Sequence, residues 1–243
     1  MRLQFIGTGT FGAKDRALTS FLINDELLFD IGSGIIRGLQ ACDIDISKIK
    51  YLIITHYHPD HLFDVVCLLL KRKIMFNNSN KLIIIGPRDI KCVVYEMLEK
   101  YLGDNGKNPF ANPDDCNLEF VEITNDEFII GGYKIIAHTV LHGTNEPANG
   151  YRIEKTGVRL GFSGDAIECD GLDKIVDNSN LLFLDTTRFA EQDDFHLNYF
   201  GALKYAKEYP NKQFFFVHRG DYDAPSDQPD NIIFPNDGDI VEL

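Results

Sequence analysis

The sequence predicts an α/β fold in which two β-sheets pack face to face and helices cover their outer surfaces. In each half of the chain, short strand patterns come first and helical patterns follow, which is the order expected of layered folds. The 243 residues are 44% hydrophobic and 25% charged, an ordinary composition for a globular protein. Because no short repeat or low-complexity tract divides the chain, we predict one domain over residues 1–243.

The first half alternates short apolar strands with turns. RLQFIG, TSFLIND, ELLFDIG and IKYLIIT predict strands, the middle two as a hairpin. HLFDVVCLLLKRK predicts a helix with Lys71, Arg72 and Lys73 in its last turn, where the helix dipole favours cations. KLIIIGP predicts another strand, and RDIKCVVYEMLEKYLG a helix that Gly103 ends. Residues 104–116 predict an irregular loop, either a surface connection or a segment that faces a substrate.

The second half repeats this order. LEFVEI, EFIIGG and YKIIAHTVLH predict strands, and YRIEKTGVRLGFSG predicts a hairpin that turns at Lys155, Thr156 and Gly157. LLFLDTT predicts a strand, LNYFGALKYAKEY a helix and KQFFFVH a buried strand. We expect the closing stretch NIIFPNDGDIVEL to form a hairpin around its NDGD turn.

Charge and cysteine content restrict the class of protein. The formal net charge of −13 argues against broad binding of nucleic acid, because phosphate binding relies on clustered Lys and Arg. A bound metal would offset this charge locally, so an anionic substrate stays compatible with it. The five cysteines are scattered and form no C-x-x-C pair, which favours reduced thiols. With no secretory signal and no apolar run long enough for a membrane span, we expect a cytoplasmic protein.

The stretch THYHPDH, residues 55–61, concentrates titratable side chains directly after a buried strand. His56, His58, Asp60 and His61 lie within six positions. Neighbouring imidazoles are costly to protonate together, and a metal removes that cost by taking their neutral lone pairs. His56 and His58 can converge on one ion, whereas Asp60 and His61 then point elsewhere, which suggests a second ion. The stretch therefore predicts a metal site.

Each ion needs further ligands from distant segments. His142 ends KIIAHTVLH, Asp165 follows VRLGFSG, and His218 ends KQFFFVH. All three follow apolar strand patterns, so we expect strand ends to gather them around the site. On a strand, positions 138 and 142 lie on the same side about 13 Å apart, too far for one ion. We therefore interpret His138 as structural.

These motifs resemble those of the metallo-β-lactamase superfamily. THYHPDH resembles the H-x-H-x-D-H motif of that family. LLFDIGSG, VLHGTNEPANGYRI, GFSGDA and FFFVHRGDY are similar to its other motifs and occur in the same order. The resemblance spans nearly the whole chain and implies an αββα four-layer sandwich.

The resemblance implies two divalent metal ions held by imidazole and carboxylate side chains. By this resemblance, one ion would be held by His56, His58 and His142. The other would be held by Asp60, His61 and His218, and Asp165 would bridge the two ions. Asp60 also counts among the catalytic residues, and Asp30 would fix the ligand loop. Ions about 3.5–4 Å apart would share a hydroxide that attacks the substrate. The set favours Zn²⁺, while carboxylate-rich sites also accept Mn²⁺ or iron.

Two segments resemble the phosphodiesterase branch of this family, typified by ribonuclease Z. One is HGTNEPANGYRI; the other is LDTTRFAEQDDFHLNYFGALKYAKE, in which an acidic residue on a strand precedes a His that leads into a helix. By that match His196 is the general acid that protonates the leaving oxygen, and Asp185 orients it. The chain departs from the branch at Asp185, usually Glu, and at Asn198, usually Ser or Thr. The alternative is that His196 caps the helix or contacts solvent.

The resemblance implies a metal-dependent hydrolase, most similar to phosphodiesterases. Members that process transfer RNA carry a long basic arm rich in Gly and Pro, which nothing here resembles; residues 104–116 are short and net acidic. With the net charge of −13, this argues against tRNA and favours a small anionic phosphodiester, such as a cyclic nucleotide or a short oligonucleotide. Arg188, Arg219 and Lys14 are candidates for phosphate contacts or ordinary surface charges.

Other functions remain compatible with the same residues. A lactonase or thioesterase of this fold would use the same metal chemistry and would have little need of His196. A non-catalytic metal-binding sensor or partner module is the second alternative. Relatives in the phosphodiesterase branch are often dimers, so a homodimer is compatible with the resemblance.

Overall fold

Two β-sheets of seven strands each lie face to face in the computed structural model of the chain, which describes residues 1–77, 80–103, 110, 117–143, 147–191 and 193–243. In spatial order the first sheet contains Ile240–Glu242 (β14), Arg2–Gly7 (β1), Ser20–Ile23 (β2), Leu27–Phe29 (β3), Tyr51–Ile53 (β4), Leu82–Gly86 (β5) and Leu118–Glu122 (β6). The second contains Ile232–Ile233 (β13), Gln213–Val217 (β12), Leu181–Asp185 (β11), Val158–Phe162 (β10), Asn149–Lys155 (β9), Tyr133–Thr139 (β8) and Glu127–Ile130 (β7).

Helices cover the outer face of each sheet. On the first sheet they are Ile35–Ala41 (α1), Pro59–Leu62 (α2), Val65–Phe76 (α3) and Ile90–Leu102 (α4), with a 3-10 turn at Ile46–Lys48. On the second sheet they are Asp170–Asn178 (α5) and Tyr199–Glu208 (α6). The order helix, sheet, sheet, helix confirms the predicted αββα four-layer sandwich.

Apolar side chains from both sheets fill the space between them. Phe21 of β2 stacks on Phe183 of β11 with ring centroids 4.8 Å apart, and Phe183 stacks on Phe215 of β12 at 5.0 Å. Central strands are buried on both faces: Ile53 of β4 packs between the sheets, whereas Leu52 packs beneath the helices. This double burial explains why such strands read as continuous apolar runs and not as an alternation.

The hairpins predicted at β2–β3 and β9–β10 are confirmed, but the predicted closing hairpin is wrong. Strand β13 pairs in parallel with β12, whereas β14 pairs with β1 in the other sheet. The NDGD turn carries the chain across, with Gly238 N donating to Phe5 O and Phe5 N donating to Asp239 O. The turn was predicted correctly, but its two flanking strands complete different sheet edges, and a local pattern does not encode that choice.

Arg72 also differs from the sequence prediction. Helix α3 continues beyond it, so only Lys73 of the three basic residues lies in the last turn. The Arg72 side chain is buried and donates to the carbonyl oxygens of Ile46, Ile49 and Asn80. It therefore fastens α3 to the 3-10 turn and to the entry of β4, in place of a surface contact with the helix dipole.

Three segments that were used in the sequence predictions lie partly or wholly outside the residues that the structure describes. Residues 104–116, predicted as a loop, lie outside them except for Phe110, which is buried beneath the helices of the first sheet. Residues 144–146 and 192, inside two of the quoted motifs, also lie outside them. Within the described part of the chain, each helix is too short or too polar to cross a lipid bilayer.

Candidate metal centre

The predicted site residues lie at the carboxyl ends of strands. His56 follows β4, His142 follows β8, Asp165 follows β10 and His218 follows β12, while Asp185 is the last residue of β11. Strands β10, β11 and β12 are parallel neighbours, so their carboxyl ends meet at one edge of the second sheet. The structure thus brings together His56 and His218, which are 162 positions apart in sequence.

Three imidazoles form the first cluster. His56 Nε2 and His142 Nε2 each lie 3.0 Å from His58 Nδ1. The remaining nitrogens face hydrogen-bond acceptors: His56 Nδ1 lies 3.0 Å from Thr55 Oγ1, and His142 Nδ1 donates to Phe195 O at 2.8 Å. Because a protonated Nδ1 leaves the lone pair on Nε2, the rings of His56 and His142 both direct lone pairs into the cluster.

Two carboxylates and two imidazoles form the second cluster. His61 Nε2 lies 3.7 Å from Asp60 Oδ2, and His218 Nε2 lies 3.6 Å from the same oxygen. The distances to Asp165 Oδ2 are shorter, 3.2 Å from His61 Nε2 and 3.5 Å from His218 Nε2. The ligand atoms of this cluster, like those of the first, lie within 4.8 Å of one another, close enough to hold a metal ion.

Asp165 joins the two clusters through one oxygen atom. Its Oδ2, besides facing the second cluster, lies 3.8 Å from His56 Nε2 and 3.9 Å from His142 Nε2. The carboxylate is 3% exposed, so it sits between the clusters with little access to bulk water. The family resemblance implies a bridging ligand at this position.

A metal ion fits the chemistry of these side chains. Nε2 of His61 and Nε2 of His218 are buried without a hydrogen-bond partner among the described residues. Their Nδ1 atoms are engaged elsewhere, 2.8 Å from Asp30 Oδ2 and 2.7 Å from Thr187 Oγ1 respectively. An unpaired buried polar atom is costly, and coordination of a cation by its lone pair removes that cost.

The electrostatics of the second cluster favour a cation. Burial alone would lower the pKa of His61, but the carboxylates of Asp165 and Asp30 raise that pKa well above its ordinary value. Burial opposes protonation of His218 too, yet the charge of Asp165 and the nearby carboxylates of Asp185 and Asp60 raise its pKa to about 10. Conversely, burial lowers the pKa of His56 well below its ordinary value. Positive charge is therefore stabilised beside Asp165, whether protons or a metal ion supply it.

A buried carboxylate and a glycine position the ligand loop. Asp30 accepts hydrogen bonds from Thr55 N at 2.8 Å, from Thr55 Oγ1 at 2.9 Å and from His61 Nδ1 at 2.8 Å. A Cβ atom at Gly32 would overlap the carbonyl oxygen of Asp60. The backbone of the ligand loop therefore packs directly against residue 32, where only glycine leaves enough room.

A third group of side chains lies beside the clusters. His196 Nδ1 is 2.8 Å from Asp185 Oδ2, and the other carboxylate oxygen of Asp185 accepts from Thr187 Oγ1 at 2.7 Å. Since that hydroxyl donates to Asp185, it accepts from His218 Nδ1. Burial would lower the pKa of His196, but the Asp185 carboxylate raises it above its ordinary value. The interpretation of His196 as a helix cap is wrong, because Asn198 caps α6.

A cavity of about 480 Å³ opens onto these groups. The residues that line it come from five segments of the chain: Thr10, Phe11, His58, Pro59, Asp60, Asp165, Thr187, Arg188 and His196. Ligand atoms of both clusters and the imidazole of His196 thus face one space, whose volume is within the range of small-molecule sites.

Other residues considered from the sequence lie elsewhere. His138 is on β8, and it belongs to none of the groups that could hold a metal among the described residues. Arg219 is 2% exposed and donates to Pro235 O. Lys14 lines a separate cavity of about 530 Å³ that contains none of the candidate ligands. Arg188 alone of the three candidate cations reaches the site.

Sequence reasoning missed three residues that position the site. Thr55 connects Asp30 to the ring of His56, and Thr187 connects Asp185 to the ring of His218. Asp193 accepts hydrogen bonds through Oδ1 from the backbone of Phe195 and of His196. Hydroxyl and carboxylate side chains are common in loops, and no spacing rule separates these from their neighbours.

The sandwich and its clustered imidazoles and carboxylates define a class, the hydrolases that work with divalent metal ions. Residues 26–219 match the family described as the beta-lactamase superfamily domain. The protein belongs to that superfamily.

Curated relatives and solved structures agree with this assignment. A ribonuclease Z from Saccharolobus islandicus is 26% identical over 266 aligned residues, which cover 90% of this chain and 88% of the relative. Human tRNase Z, short form, has the same fold with a TM-score of 0.79 at 18% identity, covering 100% of this chain and 99% of that one. A diphosphatase from the PhnP family has a TM-score of 0.75 at 19% identity, covering 100% and 97%.

Proposed function

We propose that this protein is a phosphodiesterase that hydrolyses a small phosphodiester, such as a cyclic nucleotide or a short oligonucleotide. The observation that carries the proposal is the contact of 2.8 Å between His196 Nδ1 and Asp185 Oδ2, because His196 lines the same cavity as residues of both candidate metal clusters. Hydrolysis of a phosphodiester needs both a nucleophile and a proton for the departing alkoxide, and this arrangement offers both.

The first part of the proposal concerns the metal ligands. Two divalent ions would be bound, one by each cluster. The ligands of the first would be His56, His58 and His142. Those of the second would be Asp60, His61 and His218, with Asp165 between the two clusters. When bound, such ions supply a water-derived nucleophile at neutral pH and stabilise the negative charge that develops on phosphate oxygens. Imidazole and carboxylate ligands suit Zn²⁺, and Mn²⁺ or iron can replace it in sites of this composition.

The second part concerns the proton. Because Nδ1 of His196 is bonded to Asp185, Nε2 is the ring atom left to face a substrate. During hydrolysis a water molecule loses a proton to solvent and its oxygen forms the new bond to phosphorus. The bond between phosphorus and the leaving oxygen breaks, and His196 Nε2 gives its proton to the leaving oxygen. The Asp185 carboxylate orients the ring and stabilises its protonated form, and solvent returns the proton afterwards.

The third part concerns the substrate. The relatives named ribonuclease Z and the PhnP-family diphosphatase support chemistry at phosphorus. The formal net charge of −13 opposes the long phosphate contacts that a folded tRNA needs, and a cavity of about 480 Å³ suits a small ligand. We therefore favour a small anionic diester over tRNA. A homodimer remains a prediction.

The test compares three substrates on protein loaded with Zn²⁺ or Mn²⁺: bis-p-nitrophenyl phosphate, a 2′,3′-cyclic nucleotide and an acyl-lactone. We expect the wild type to hydrolyse both diesters and Asp60→Ala to hydrolyse neither. His196→Ala should lose activity on the cyclic nucleotide while keeping its metal content. Tyr101→Ala, an exposed aromatic outside the cavity, serves as the control.

Each unexpected outcome points to a different function. Turnover of the lactone alone, unaffected by His196→Ala, would contradict the phosphodiesterase proposal and favour a lactonase or thioesterase. No turnover of any substrate by protein that holds two metal ions would favour a non-catalytic sensor or partner module.

A further inference from the structure

We infer that the cavity recognises a phosphate ester that carries a planar ring such as a nucleobase, with Phe11 as the stacking surface and Arg188 as the phosphate contact. The inference deepens the proposed function and rests on it. It narrows the substrate from any small diester to a nucleotide-like one, and it assigns substrate recognition to two residues outside the clusters.

Phe11 is a large apolar side chain held away from the core. It is 78% exposed, and it lines the cavity that contains ligand atoms of both clusters. Exposed apolar side chains are common on proteins, but few line a site together with candidate metal ligands. None of the ring pairs found among the described residues includes Phe11, so one face of the ring is available to a ligand.

The backbone that carries Phe11 is fixed although its ring is uncovered. Thr10 N donates to Arg219 O at 3.0 Å, and Ala13 N donates to Thr10 O at 3.1 Å. Gly9 forms bridges to both Leu18 and Arg219. The turn is therefore anchored to the segment that follows His218, which holds the backbone of Phe11 at the cavity. An exposed aromatic ring on an anchored backbone is a suitable platform for stacking with a base.

Arg188 supplies the positive charge of the cavity. It is the only Lys or Arg among the lining residues that the structure describes. Its Nε lies 3.1 Å from Asp193 Oδ2, and its carbonyl oxygen accepts a hydrogen bond from Tyr199 N at 2.8 Å. With Nε occupied, the two terminal nitrogens form the fork that binds a phosphate through two parallel hydrogen bonds.

Asp193 links this cation to the proton donor. Its Oδ2 pairs with Arg188, while its Oδ1 accepts from the backbone N–H of His196 at 2.7 Å. One carboxylate therefore contacts both the guanidinium of Arg188 and the backbone of the residue that carries the imidazole. A phosphate held by Arg188 would lie in the cavity that His196 also lines, as the proposed proton transfer requires.

The test measures binding, so it does not depend on turnover. We would titrate Zn²⁺-loaded protein with adenosine 5′-monophosphate and with ribose 5-phosphate, which lacks only the base, and measure both dissociation constants by calorimetry. Because stacking of a base on an aromatic side chain is favourable, we expect the nucleotide to bind about tenfold more tightly.

Three variants and a control separate the two contacts. Phe11→Ala should weaken binding of the nucleotide about tenfold and leave the affinity for ribose 5-phosphate unchanged. Phe11→Tyr should keep the preference for the nucleotide, because a tyrosine ring also stacks on a base. Arg188→Ala should weaken both ligands by a similar factor of about ten, because both carry the phosphate. Tyr101→Ala, an exposed aromatic on α4 outside the cavity, should behave as the wild type.

The outcomes distinguish this inference from the proposed function. Equal affinity of the wild type for the two ligands, no binding of either, or equal weakening of both by Phe11→Ala would overturn the inference. If diesters were still hydrolysed in any of those cases, the proposed function would stand without it. Nucleotide binding that depends on Phe11, in a protein that hydrolyses no phosphodiester, would overturn the proposed function and leave a nucleotide-binding site.

Discussion

Nδ1 of His196 lies 2.8 Å from Oδ2 of Asp185, at the carboxyl end of β11. The same carboxylate reaches His218 through the hydroxyl of Thr187. One buried acid therefore orients a candidate proton donor and a candidate metal ligand, and each of these roles can be tested by a separate substitution.

Replacing His196 should affect substrates according to their leaving group. We expect His196→Gln to lower kcat for a cyclic nucleotide by about 10²–10⁴-fold, because an alkoxide leaves poorly without a proton. The loss with bis-p-nitrophenyl phosphate should be far smaller, since p-nitrophenolate needs no proton to depart. Steady-state kinetics at equal metal content measure both. An equal loss with the two substrates would contradict the assignment of His196 as general acid.

Replacing Thr187 should weaken the metal site without touching a ligand. Thr187→Val keeps the shape of the side chain but removes the bridge between Asp185 and His218, so the ring loses its shorter orienting contact and keeps only the direct one of 3.3 Å to Asp185 Oδ1. We expect metal affinity to fall about 10-fold, measured by competition with a chromophoric chelator. Thr187→Ser, which keeps the hydroxyl, should restore it. If the Val variant bound metal as tightly as the wild type, the bridge would have no such role.

A methyl group at position 32 should disrupt the ligand loop. Because a Cβ there overlaps the Asp60 carbonyl oxygen, we expect Gly32→Ala to lower the free energy of unfolding by about 1–3 kcal/mol and to lower metal content. Urea unfolding and metal analysis give the two values. Ser33→Ala, at the exposed next position, adds no atom and is the matched control. A stable, fully loaded Gly32→Ala protein would show that the loop adjusts.

Removing metal should lower thermal stability through Asp165. With metal present at 100 times its dissociation constant, binding adds about 2.7 kcal/mol to the free energy of unfolding, which raises Tm by about 5–10 °C in a chain of this size. We expect EDTA to abolish this increase in Tm in the wild type and to change the Tm of Asp165→Ala little. Differential scanning calorimetry measures both. A chelator-sensitive Tm in Asp165→Ala would contradict the central position given to this carboxylate.

Stability should respond to pH through Glu26. Burial would raise its pKa, but hydrogen bonds from Lys50 and Tyr133 and the charge of Lys155 lower it below the ordinary 4.5. Stability from a lowered acid pKa is present above pH 4.5 and is lost as pH falls through the folded-state value. We expect Glu26→Gln to cost about 0.5 kcal/mol at pH 7 and almost nothing near pH 3. Urea unfolding measures this difference, and Glu127→Gln, in an exposed ion pair, is the control. A constant difference would exclude this cause.

The layered fold and the clustered candidate metal ligands could be predicted because the sequence patterns that indicate them are local. Strands buried on both faces read as apolar runs, and three histidines within six positions have few uses other than metal binding. The roles of Thr187 and Asp193 could not be predicted: Thr187 acts through a contact with the distant His218, and Asp193 makes local contacts that many loop carboxylates could make. The orphaned Nε2 atoms of His61 and His218 likewise become visible only in three dimensions.

The prediction of strand pairing at the edge of the first sheet failed for a related reason. A turn such as NDGD indicates that the chain reverses, but it does not state which strand each flanking segment joins. Thr8 and the backbone of Ala17 donate to the Asp237 carboxylate within this turn, which fixes the turn against the β1–β2 connection. These contacts join residues more than 200 positions apart, and local sequence patterns contain no record of them.

The pairing of β1 with β14 also affects how the chain assembles. Arg2 to Gln4 align with Ile240 to Glu242, so during synthesis from the amino terminus β1 emerges first and must wait for its last neighbour. Contacts of such separation slow folding, since a long loop must close before they contribute. Until then one side of β1 offers unpaired backbone groups to other chains. We therefore expect slow refolding and sensitivity of yield to protein concentration.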